Sequence, residues 1–74
     1  MSTEYEYEVL FVRDGVNVVS IAFVEDSDVS DYETLEQVAV RRALDGVNMV
    51  LGTDFVVDNF DEVTATHTGM LGFK

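Results

Sequence analysis

The 74-residue chain contains no cysteine, no proline and no tryptophan, and only four of its side chains are basic. Without a thiol there can be no disulfide staple and no thiolate zinc site. Fifteen acidic residues against those four cations set the formal net charge at −11. A nucleic-acid ligand needs cations to displace its condensed counterions, and an anionic membrane surface needs a basic patch. Arg13, Arg41, Arg42 and Lys74 are too few and too scattered for either. Such a field attracts a basic protein surface instead, including a protein groove that ordinarily holds nucleic acid. The longest apolar run near the N-terminus, Val9–Val12, is far too short to span a membrane, and Met1–Glu6 lacks the basic and apolar blocks of a signal peptide. A soluble, cytoplasmic protein is expected.

The length allows one small domain, 1–74, which buries roughly 60% of the surface its unfolded chain exposes. The core is therefore thin, and stability must come from packing, from a partner subunit, or from both. With 47% apolar residues the chain is nonetheless too hydrophobic for a disordered acidic tail.

Residues 4–12 alternate. Tyr5, Tyr7, Val9 and Phe11 fall on one face, with Glu4, Glu6, Glu8 and Leu10 on the other, the signature of a half-buried strand. A second β-forming run, Val16 to Val24, follows Arg13-Asp14-Gly15. A two-residue Asp14-Gly15 turn pairs Arg13 with Val16 and sets Glu8 beside Ile21 and Glu6 beside Phe23. A three-residue loop pairs Val12 with Val16 and brings Tyr5/Phe23, Tyr7/Ile21 and Val9/Val19 together on one face. A one-residue slip turns every side chain over, so burial of the largest groups favours the three-residue loop. On that register the outer face carries Glu4, Glu6, Glu8, Leu10 and Val12, then Val16, Val18, Ser20, Ala22 and Val24. It is acidic at one end and apolar at the turn.

Ser30 with Glu33 reads as a capping box, and Asp31 sits where a helix dipole favours an anion. Tyr32, Leu35, Ala39 and Ala43 recur at helical spacing, Arg41 and Arg42 then fall in the last turn, and Gly46 lies where a terminating glycine belongs. The spacing predicts a helix over 31–45. Residues 47–51 fit either a further helical turn or a buried strand, 55–57 form a short extended piece, and 62–68 alternate as a strand. The expected fold is α+β, a two-layer sandwich in ββαβ(β) order with one helix on an antiparallel sheet.

Three glutamates at alternate positions of one strand lie about 6.8 Å apart, near the spacing of neighbouring phosphates. With Asp26, Asp28 and Asp31 they make a candidate partner-binding track of the kind a DNA mimic uses. The competing explanation is a solvated acidic face that only confers solubility. Asp26-x-Asp28-x-Ser30 begins like a calcium loop, but Asp31 and Gln37 stand where that loop requires glycine and a bidentate glutamate, so no metal site is expected. His67, the only histidine, is flanked by threonines and has no nucleophile or metal-ligand spacing around it. No glycine-rich phosphate loop follows a strand. Neither an enzyme nor a cofactor is expected.

The Glu-Tyr-Glu-Tyr-Glu-Val strand, the Asp-Gly turn, the acidic link, the alanine-bearing helix and Asn59-Phe60-Asp61-Glu62-Val63 leading into the last strand resemble, as a layout, the small acidic accessory proteins of phage and prophage genomes. That resemblance implies a non-enzymatic inhibitor acting in the host cytoplasm on a nucleic-acid-handling protein; it transfers no functional residue. The alternative is a homo-oligomerising accessory protein, a homodimer whose contact is Leu10, Val12, Val16 and Val18.

Overall fold

In a computed structural model describing residues 3–72, the chain runs β1 (Thr3–Arg13), β2 (Val16–Glu25), α1 (Leu35–Leu51) and β3 (Glu62–Gly72), with single 3-10 turns at Asp26–Asp28 and Val57–Asn59. The strands form one antiparallel sheet in the order β2-β1-β3, with the helix packed on one face. This is the expected α+β sandwich, with the last strand paired to the first.

The hairpin takes the two-residue turn, correcting the register that burial favoured. Arg13 pairs with Val16, and the turn residues Asp14 and Gly15 both have positive φ, 51° and 77°. Those are the dihedrals an Asp-Gly hairpin turn supplies, and their twist matches that of the strands they join. Tyr5 now pairs with Val24, Tyr7 with Ala22, Val9 with Ser20 and Phe11 with Val18. The smaller β2 side chains face the helix and the larger ones face away. Close approach of the helix explains the choice. Ala39, Ala43 and Gly46 share one helix face by their spacing, and a Cβ built on Gly46 would lie only 3.7 Å from Ser20 Oγ. Phe23 or Ile21 in that seam would hold the layers apart.

Phe11, Val9, Val24 and Val38 are fully buried, and Tyr7, Ala22, Ala39, Ala43, Leu44 and Val47 complete the core. The helix starts and ends later than its sequence spacing predicts. Thr34, not Ser30, is the N-cap: its hydroxyl accepts from the Gln37 N–H, and the Gln37 side chain accepts from the Thr34 N–H. Ser30 and Glu33 still bond to each other, but they close a turn ahead of the helix. At the other end residues 47–51 continue the helix to Gly52, which ends it with φ +66°. Gly46 is therefore a mid-helix residue, Asp31 lies outside the helix, and Arg41 and Arg42 are not in its last turn.

Asn48 then pins the returning chain. Its amide nitrogen donates to the Phe55 carbonyl at 3.0 Å, and its Oδ1 accepts from Phe55 N–H and Thr53 Oγ1, each at 2.9 Å. Asp61 ties the start of β3 to the hairpin, accepting from Asp14 N–H at 2.9 Å while its own N–H donates to Val12 O at 2.7 Å. In β3, Val63, Ala65 and His67 align with inward residues of β1 until a bulge at Thr68 shifts the register between Glu6 and Tyr7. No helix among the described residues is long and apolar enough to cross a membrane.

Candidate functional site

Alternation along three paired strands builds the face opposite the helix. Down the middle, on β1, run Glu4, Glu6, Glu8, Leu10 and Val12; Glu6 lies between Phe23 and Gly69, Glu8 between Ile21 and Thr66, and Leu10 between Val19 and Thr64. Among the described residues no secondary-structure element covers these side chains. Val19, Ile21 and Phe23 on β2 are 53%, 48% and 47% exposed. The face is therefore not acidic at one end and apolar at the other. Central carboxylates run alongside an apolar edge column, because the two-residue turn brought Val19, Ile21 and Phe23 outward.

The charge on this face is all of one sign. Among the described residues every guanidinium belongs to the helix side or the hairpin tip. Arg13 stacks over the Phe55 ring, its guanidinium carbon 4.7 Å from the centroid. Arg41 pairs with Glu33, and Arg42 donates to Asp28 Oδ2 at 3.0 Å and to the Phe23 carbonyl at 2.8 Å. Glu6 is held in place by Thr68, whose hydroxyl donates to Glu6 Oε1 at 2.8 Å from the bulge.

The six acids expected to form one track fall into two groups. Glu4, Glu6 and Glu8 share the open face. Asp26 and Asp28 lie on the 3-10 turn at the end of β2, both turned toward the helix layer. Asp28 accepts from Arg42 and from Glu25 N–H, and those donors hold its carboxyl below the ordinary aspartate range. Asp26 bonds the Tyr5 phenol; burial first, and then this carboxylate, push that phenol above its usual value. Asp31 is exposed in the loop before the helix. Their adjacency in sequence concealed the fact that the chain turns from one layer to the other at Glu25.

The four residues expected to make an oligomer contact also divide. Leu10 and Val12 face outward. Val18 packs against the core on the helix side, and Val16, of the same parity, lies at the hairpin tip, 62% exposed. The two-residue turn is again the reason.

On the helix side, His67 packs against Tyr5 and Tyr7 with ring centroids 5.6 and 5.4 Å away, and its Nε2 lies 2.7 Å from the Gly69 carbonyl oxygen. Glu36 bonds the Tyr7 phenol, whose pKa is raised by burial and then by that carboxylate. This is an aromatic corner in which each ring's polar atom has its own partner, Asp26 for Tyr5, Glu36 for Tyr7 and the Gly69 carbonyl for His67. An open apolar groove of about 720 Å³ separates α1 from β3, with Val40, Leu44, Phe55 and Val63 among its walls. No cluster of three or more His, Cys, Asp or Glu side chains disposed to hold a metal occurs among the described residues.

Sequence reasoning missed Thr34, Asn48, Thr68 and the column Val19, Ile21, Phe23. Thr34-x-x-Gln37 is a legible capping box that competed with Ser30-x-x-Glu33. The β2 column was legible only through the turn type, and Asn48 and Thr68 left no local signal. No protein-family model, curated protein or solved structure matches the chain.

Proposed function

We propose that the protein is a non-enzymatic interaction module that binds a basic surface of another protein through the sheet face carrying Glu4, Glu6 and Glu8. The observation that carries this reading is the segregation of charge. The arginines are spent on the helix side, while three alternate carboxylates of the central strand stand uncovered beside an apolar column. The apolar column supplies burial, and the carboxylates beside it select and steer a cationic partner. The same row, spaced like phosphates along a strand, suits a groove that otherwise takes nucleic acid, so occlusion of such a site is the expected consequence of binding.

Affinity capture tests the reading with two variants of equal charge change. Replacing Glu4, Glu6 and Glu8 together by Gln should abolish retention of the basic partner. Replacing the exposed Asp45, Asp54 and Asp58, which lie off this face, by Asn should leave most of it. Equal losses with both would mean that only net charge matters and would remove the assignment. A partner captured by the wild type should in turn lose its nucleic-acid ligand on titration with this protein.

A further inference from the structure

β2 is an edge strand, paired on one side only. In a two-residue hairpin the closing pair Arg13/Val16 exchanges hydrogen bonds, and so does every second pair beyond it. The even-numbered residues of β2 therefore bond to β1. The N–H and C=O groups of Asn17, Val19, Ile21 and Phe23 point to the open edge. The Arg42 guanidinium on the Phe23 carbonyl confirms that direction and closes that one group. From Asn17 to Ile21 the edge remains open over about 14 Å.

Long exposed edges are normally protected by lysine, proline, a bulge or an inward charge. Residues 16–24, Val-Asn-Val-Val-Ser-Ile-Ala-Phe-Val, contain none of the first two and no charge at all, in a chain in which 26% of residues are charged. No bulge interrupts their pairing with β1. The edge is also flanked by apolar groups on both faces. Val19 and Ile21 lie on the outer side, and on the helix side Val50, 84% exposed, and Leu51 border a shallow cleft shared with Val18, Val19 and Ser20.

We infer that the β2 edge is the interface of a homodimer, in which β2 pairs antiparallel with β2 of a second copy about a two-fold axis near Val19. The distribution of charge selects this occupant. A cationic partner would find no carboxylate along residues 16–24, whereas two copies each of charge −11 can approach along this stretch, where no like charges oppose. A two-fold axis satisfies Asn17, Val19 and Ile21 of each copy with about six backbone hydrogen bonds. It also brings Val50 and Leu51 of both copies to the seam. The result is a continuous six-stranded sheet with both helices on one side and both glutamate rows on the other.

Sedimentation velocity over a concentration series tests the inference. The wild type should reach twice the 8.3 kDa chain mass. Val19→Glu, an outward substitution that opposes two carboxylates at the axis, should remain at the monomer mass with an unchanged circular dichroism spectrum. The glutamate-to-glutamine triple variant should dimerise like the wild type, so failure of the partner-binding reading leaves this result unaffected. Amide exchange on the wild type gives a measurement that depends on no variant: protection of the Val19 and Ile21 N–H groups should rise with protein concentration. A wild type that stays monomeric to millimolar concentration, a folded Val19→Glu variant that still dimerises, or Val19 and Ile21 amides indifferent to concentration would each overturn it.

Discussion

Gly46→Ala should stabilise the protein. Gly46 lies in the sixth-to-last position of a seventeen-residue helix, where glycine is about 1 kcal/mol less favourable than alanine because its backbone loses more freedom on folding. The added Cβ would sit 3.7 Å from Ser20 Oγ, an ordinary van der Waals distance, so no repacking cost cancels the gain. For a domain of this size 1 kcal/mol corresponds to about 4–8 °C in Tm, and the gain in Tm should be of that order. Gly52→Ala is the counterpart. At φ +66° an L-residue is strained, and that variant should lose about 1 kcal/mol. Thermal and urea unfolding followed by circular dichroism on the wild type and both variants gives the two signs. Were Gly46 the helix terminator that its place after Leu44-Asp45 suggests, the first sign would reverse. A destabilised Gly46→Ala would therefore refute the helix boundary and the close contact between α1 and β2.

Asn48→Ala should cost about 1–3 kcal/mol, because the Phe55 N–H and C=O lose their partner where the chain is half-buried; urea unfolding reads the loss, and exchange of the Phe55 amide should quicken with it. Asp28→Asn tests charge against geometry. Arg42 depresses the folded-state pKa of Asp28, so its contribution is complete above the unfolded value of about 3.9 and disappears as pH falls through the lower folded value. The Tm difference between wild type and variant should therefore narrow below about pH 3.9, and a gap undiminished at lower pH would show that a neutral hydrogen bond suffices.

Legibility differed from element to element for physical reasons. The β1 pattern, an aromatic and β-branched face against a glutamate face, survives intact because period-two alternation is local and both faces of the sheet demand it. In the helix the alanine ridge was readable, but its boundaries were not: two capping boxes and two glycines stood close together, and only the burial of Val47 and the hold of Asn48 on the returning chain decided where the helix ends. The hairpin register turned on a competition between turn dihedrals and side-chain bulk, and bulk alone misjudged it because the helix needed small residues beneath it. That single choice also rearranged the candidate site, since it placed Val19, Ile21 and Phe23 beside the glutamates and moved Val18 inward.

Composition and alternation alone thus determined an acidic α+β domain with a glutamate row on the central strand, because charge and period are properties of the chain itself. Which apolar residues border that row, which acids are drawn off by arginines, and which strands lie at the sheet's edges were decided only by the tertiary structure. Each depends on groups far apart in sequence: Arg42 reaches Asp28 and Phe23, Asn48 holds Phe55, and Gly46 of the helix lies against Ser20 of β2.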